Sequence, residues 1–204
     1  MAKSKAQLVT SIGEKLVAHY GRPNKFITWW CEPRGLKGSW LTAPWCAMFA
    51  SYLYSSAGLA KEAGQFAYCP SWVNWLKARK RWGSTPRVGA LVFYSWKANG
   101  VADHVGIVTA VGSKTIKSLE GNTTKGGAKN WVAVQTRKRD KTILGYGYVD
   151  NPVKERLYTV RKGDSLAKIA ALYDTTWQKL YAANKAAVGS KPSLIKPGLV
   201  LRIP

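Results

Sequence analysis

The sequence predicts an α+β fold in two parts, and three observations carry that reading. Before the break, helical spacing of apolar residues is confined to the stretch up to Lys80. Five strand-like runs follow, joined by short turns. A polar break with a proline, Asn151 to Arg156, then separates a tail of different pattern. Helices followed by consecutive strands indicate an antiparallel sheet with helices segregated to one side. The boundaries expected are a first domain over 1–150, a linker over 151–156 and a second domain over 157–204.

Taken in order, Leu8, Val9, Ile12 and Leu16 recur at helical spacing and predict a helix over Gln7–His19, with His19 at a polar position on it. Glu14 and Lys15 interrupt the apolar positions, so the segment is not read as a signal peptide. Further helices are predicted over Pro44–Ser56 and Ser71–Lys80. Strands are predicted over Ala90–Trp96, His104–Val111, Thr115–Glu120, Trp131–Arg137 and Ile143–Val149. After the break, the strand Leu157–Arg161, two short capped helices and the strand Leu199–Ile203 make a βααβ module. No stretch approaches the roughly 18 apolar residues of a membrane span. Neither pattern recurs, which excludes a repeat array.

Charge narrows the partners without choosing among them. The 204 residues include 32 Lys and Arg against 10 Asp and Glu, a formal charge of +22. It divides as +15 before Val153 (22 basic against 7 acidic residues) and +7 after (10 against 3). Such an excess predicts attraction to a polyanion: nucleic acid, an anionic membrane or the anionic polymers of a bacterial wall. The runs Lys77–Trp82 and Arg137-Lys138-Arg139 read as solvated surface. With 46% hydrophobic and 12% aromatic residues the chain is globular, not a disordered basic tail. Its three cysteines, Cys31, Cys46 and Cys69, are too few for a disulfide framework. Cys31 and Cys69 read as core fillers, with a bridge between them as the alternative.

Cys46 lies in Thr42-Ala43-Pro44-Trp45-Cys46-Ala47-Met48-Phe49. With Thr42 as N-cap and Pro44 in the first turn, Cys46 falls in the first turn of a helix. The helix dipole there favours thiolate. The competing reading is a small apolar core residue. His104, one of two histidines, opens the strand His104–Val111, and the next strand ends at Glu120-Gly121-Asn122. If the turn Gly112-Ser113-Lys114 centres on Ser113, His104 lies opposite Asn122 and diagonal to Glu120. All three then share one sheet face. A two- or four-residue loop spoils that parity.

Pro44–Phe49, Gly89-Ala90-Leu91-Val92-Phe93-Tyr94, Asp103-His104-Val105-Gly106-Ile107-Val108 and Glu120-Gly121-Asn122-Thr123, in this order, resemble the CHAP family over roughly residues 27–149. The name stands for cysteine- and histidine-dependent amidohydrolases/peptidases. The resemblance implies a papain-like fold that cuts peptidoglycan amides. It implies Cys46 as nucleophile, His104 as general base, Glu120 as the residue orienting the histidine and Asn122 as the fourth polar member. Some members bind calcium through an Asp-rich loop before the nucleophile; Arg34–Trp40 has no Asp here, so calcium is not expected, and the cysteine mechanism the resemblance implies requires no other metal or cofactor. The bond cut is left open between N-acetylmuramoyl-L-alanine amidase and endopeptidase chemistry.

Leu157–Pro204, with Gly163-Asp164-Ser165-Leu166 and Leu194-Ile195-Lys196-Pro197-Gly198, resembles a LysM domain over its whole length. That implies binding of N-acetylglucosamine-containing glycan in a groove lined by Gly163, Asp164, Ser165, Leu166, Asn184, Leu194 and Ile195. Together the two resemblances imply an endolysin-like peptidoglycan hydrolase of a bacteriophage. It is expected to be held in the host cytoplasm, released through a holin-type pore, and bound to peptidoglycan and anionic wall polymers. The competing class is a basic wall-binding or nucleic-acid-binding protein without hydrolase activity. No zinc spacing or RNA-binding motif supports the nucleic-acid version.

Overall fold

The computed structural model describes residues 4–149, 156–173 and 175–203, with Arg156 by its backbone alone. Contacts divide the chain into two compact units, Met1–Asn151 and Pro152–Pro204. The expected linker lies outside the described residues except for Arg156.

The first unit begins with α1 (Lys5–Glu14), where Ser4 and Gln7 cap each other reciprocally. It stops before the predicted end, because Ala18–His19 form β1 instead, paired with Val132 and Trp131. His19 is therefore on a sheet edge and not on a helix. A short helix α2 (Lys25–Cys31), capped by the Asn24 side chain, was not anticipated. Then come α3 (Cys46–Ser56), α4 (Ala60–Ala63) and α5 (Cys69–Ala78). The strands β2 (Trp82–Gly83), β3 (Leu91–Tyr94), β4 (His104–Val111), β5 (Thr115–Lys125), β6 (Ala128–Lys138) and β7 (Ile143–Gly147) complete it. With β1 they form one antiparallel sheet in the order β1-β6-β5-β4-β3-β7-β2.

Alternation along the strands divides the sheet's two faces. Leu91, Phe93, Val105, Ile107 and Leu119 join Phe26, Trp45, Phe49, Leu53 and Trp72 in the main core. Val92, Tyr94, Val108, Ile116 and Tyr146 form a smaller cluster on the opposite face. Helix α3 packs on β4 and β5, and Gly121 permits the approach. A Cβ there would lie 2.6 Å from Phe49.

The turn between β4 and β5 differs from the expected one. Gly112 donates its N–H to Thr115 O at 2.9 Å, leaving the two-residue loop Ser113-Lys114. That loop alone puts the strands out of the required parity. A register shift between Val108 and Ala110 restores it, so Gly106 pairs with Glu120.

Among its described residues, the second unit has a two-stranded antiparallel sheet, β8 (Arg156–Thr159) with β9 (Val200–Ile203), and two helices, α6 (Leu166–Leu172) and α7 (Trp177–Val188). Ser165 caps α6 and Thr176 caps α7 through their hydroxyls. Its core is Val160, Leu166, Ile169, Ala170, Leu180, Leu201 and Ile203.

Candidate active site and glycan-binding unit

Cys46 is the first residue of α3, as the helix-start reading requires, although the cap differs. Thr42 closes a 3-10 turn over Gly38–Thr42, and Trp45 occupies the N-cap without a side-chain bond. Cys46 is 3% exposed, and its side chain faces three groups. Its sulfur lies 3.8 Å from the Cys69 sulfur, shares a hydrogen bond with His104 and receives the Val105 N–H. Contact with Cys69, then the charge and hydrogen bond of His104, outweigh burial and hold the Cys46 thiol well below its ordinary range.

His104 opens β4 and is almost wholly buried. Burial alone would neutralise the imidazole. The Cys46 sulfur and the Glu120 carboxylate outweigh it and push its pKa up to about 10. His104 Nε2 lies 3.0 Å from Glu120 Oε2, leaving Nδ1 as the ring nitrogen for Cys46. Each shift favours the charged form of its group, so the two together favour a thiolate–imidazolium pair.

Glu120 is fully buried, and its charge is surrounded by donors. Ser118 Oγ donates at 2.7 Å, Thr123 Oγ1 at 3.2 Å, Arg137 Nε at 2.9 Å and Arg137 Nη2 at 2.6 Å. Burial opposes ionisation, but the bonds and charges of His104 and Arg137 bring the carboxyl down to about 2. Gly106 makes the space: a Cβ there would meet Glu120 Cγ at 2.8 Å.

Arg137, expected to be solvated surface, is instead a fork on the buried carboxylate, with its guanidinium 5.0 Å from the Trp96 ring. The sequence carried no sign of this, since a cation in a basic run on a strand looks the same whether it turns in or out. Asn122 is not bonded to His104. It adopts φ +54, leaves the strand geometry, and accepts from Arg22 Nη2 at 2.7 Å through Oδ1. Arg22 Nη1 also donates to Thr42 O, which ties Asn122 to the loop before α3. Asn122 and His104 still border one cavity of about 280 Å³ with Trp96, Thr124 and Arg137.

Cys46 and Cys69 line a second, mainly apolar cavity of about 430 Å³ walled by Trp40, Pro44, Tyr68 and Val101. All three cysteines are free thiols, and the partner of Cys69 is Cys46, not Cys31. Among the described residues no three His, Cys, Asp or Glu side chains gather as a metal cage.

In the second unit, Asp164 accepts from Arg161 N–H and Tyr158 O–H, both at 2.8 Å, and so closes the turn that Gly163 makes at φ +88. Gly163, Ser165 and Leu194 are exposed, and Ile195 is half-buried. Leu166 and Asn184 are not available as groove side chains. Leu166 is in the core, and Asn184 is buried with its amide spent on the backbone. Nδ2 donates to Leu180 O and Arg202 O, while Oδ1 accepts from Arg202 N–H. Asn184 also interrupts α7 with φ −125. Its role is to tie that helix to β9.

No curated protein matches the sequence at a significant level. Two family models match parts of it: the CHAP domain over residues 38–122, which holds Cys46, His104, Glu120 and Asn122, and the LysM domain over residues 158–204. The chain is thus a CHAP-domain protein with a C-terminal LysM domain, an architecture that supports peptidoglycan hydrolysis with binding to the cell wall.

Proposed function

We propose that the chain cleaves an amide bond in the peptide part of peptidoglycan, in an endolysin-like role, by a Cys46–His104–Glu120 mechanism. The observation that carries this reading is the buried relay from thiol to imidazole to carboxylate, with the thiol on the wall of a 430 Å³ cavity.

The Cys46 thiolate attacks the carbonyl carbon, and the amide π electrons move to oxygen. The N–H of Cys46, the first residue of α3, receives that oxyanion in this mechanism. Protonated His104 gives its proton from Nδ1 to the departing amine as the C–N bond breaks, leaving a thioester on Cys46. His104 then takes a proton from water, whose oxygen attacks the thioester. Loss of the Cys46 thiolate frees the carboxylic acid and restores the imidazolium. Glu120 remains charged throughout and keeps the imidazole oriented and basic.

In the LysM domain, the exposed turn at Gly163–Ser165 and the segment at Leu194–Ile195 are the proposed glycan-binding surface. The charge of +22 adds long-range attraction to anionic wall polymers. Digestion of purified peptidoglycan, followed by mass spectrometry of the fragments, tests the reading and assigns the bond. New L-alanine amino termini mean amidase action, and new termini inside the stem or cross-bridge mean endopeptidase action. Fragments with broken glycosidic bonds and intact peptides would refute it.

A further inference from the structure

Cys69 lies outside the thiol–imidazole–carboxylate relay and is buried in the main core as expected, but it also lines the apolar cavity beside Cys46. It is the first residue of α5, as Cys46 is of α3, so two helices begin at the same point on the wall of the apolar cavity. The two sulfurs are 3.8 Å apart and buried, a distance within sulfur hydrogen-bonding range. We propose that Cys69 is a further catalytic residue, its S–H donating to the Cys46 sulfur and holding that sulfur as the attacking thiolate. The inference rests on the proposed role of Cys46 as nucleophile.

The direction of the bond follows from the neighbours. Cys46 has His104 beside it to take its proton, and the Val105 N–H pointing at the sulfur. Among the described residues, no imidazole is hydrogen-bonded to Cys69. The charges acting on it are the Cys46 sulfur and the Asp103 carboxylate, and both oppose its ionisation. Contact with Cys46, then burial, hold the Cys69 thiol well above its ordinary range, so it keeps the proton that it donates. A hydrogen bond to an ionised partner is about twice as strong as a neutral one. No proton leaves Cys69 at any step. The bond favours the thiolate before attack and again when sulfur departs from the thioester.

The sequence did not show this, because a cysteine 23 positions away in a separate helix carries no local sign of what it faces. The cysteine count suggested two core fillers, with a Cys31–Cys69 bridge as the alternative, and Cys31 is a free thiol in the same core.

The test is the pH dependence of Cys46 alkylation by iodoacetamide in the full chain, followed by peptide mass spectrometry so that Cys31 and Cys69 are scored separately. This readout needs no peptidoglycan. A failed lysis assay with an intact thiolate titration therefore counts against the proposed function, and a failed titration shift counts against Cys69. Cys69→Ala is expected to move the Cys46 midpoint upward by about one pH unit, a tenfold loss of thiolate at a fixed acidic pH. Cys69→Ser, which keeps a donor, is expected to bring the midpoint back toward the wild-type position. Coincident wild-type and Cys69→Ala curves would overturn the proposal, and so would equal shifts in both variants, which would mean packing and not donation. Should Cys69→Ala not fold, the serine variant decides alone. A midpoint at or below wild type supports the donor role, and one displaced upward by a full unit overturns it.

Discussion

Replacing Arg137 with methionine isolates a contact on which the whole relay depends. The substitution keeps much of the side-chain volume but removes both bonds to Glu120, at 2.9 and 2.6 Å. Removing one partner of a buried ion pair costs about 3–5 kcal/mol. The low end applies here, because the Arg137 side chain is 29% exposed and Glu120 retains His104, Ser118 and Thr123. A loss of about 3 kcal/mol lowers the urea midpoint by roughly 1.5 M at a slope near 2 kcal/mol/M. Tryptophan fluorescence is the assay, since nine of the ten tryptophans precede residue 152 and report on the first unit. The acid side gives a second reading. Glu120 titrates near 2 and not at its ordinary 4.5, so the stability it adds is present above pH 4.5 and is lost as pH falls through about 2. That linkage is on the order of 3 kcal/mol, at about 1.4 kcal/mol per pH unit. Without Arg137 the acid transition should move to higher pH, with Arg137→Lys intermediate because it keeps the charge and loses the fork. An Arg137→Met protein within about 0.5 kcal/mol of wild type, unfolding in acid at the same pH, would refute the reasoning.

The other predictions address the site and the second unit. Activity should hold through neutral pH and fall on the alkaline side as His104 loses its proton near pH 10; the stability that imidazolium adds is complete below pH 6.5 and gone above about 10. A lysis profile that instead falls near pH 6.5 would show an unpaired histidine. Gly106→Ala should cut turnover by roughly a hundredfold in a folded protein, because its Cβ displaces Glu120; undiminished turnover would mean that the 2.8 Å approach is harmless. Asn184→Ala should destabilise the LysM domain by about 2–3 kcal/mol and weaken wall pull-down, as three buried bonds are lost; unchanged melting of that domain would return Asn184 to the list of surface ligands. A truncation after Asn151 keeps +15 and should match the full chain at low salt, then lose lysis faster as salt shortens the Debye length to about 8 Å at physiological strength; overlapping salt curves would argue against an anchor.

What the sequence made legible was mostly what repeats or stands at an element's end. The helix bearing Cys46, the strands bearing His104 and Glu120, and the βααβ order of the tail follow from period and turn chemistry. The geometry joining His104 to Glu120 was legible only by two compensating departures. The turn is one residue shorter in its loop than expected, and the shift between Val108 and Ala110 restores the parity. Bulges have no reliable sequence signature, so the register could not have been derived. Arg137 and Cys69 were invisible for a related reason: each acts across the fold on a residue many positions away, and a charge run or a single cysteine looks alike in either role. Asn184 erred in the opposite sense. A polar residue near a helix end reads as surface, and only the backbone of Arg202 explains its burial. Helix α2, only seven residues long and crowded with aromatics, is too short for a period to show.

The most direct test of the central claim compares wild-type chain with Cys46→Ala and Cys46→Ser on purified peptidoglycan, at equal amounts bound to the wall. The account predicts new amino termini released by the wild-type chain, and a rate lower by several orders of magnitude in both variants. Release by either variant within about tenfold of wild type would contradict a cysteine nucleophile.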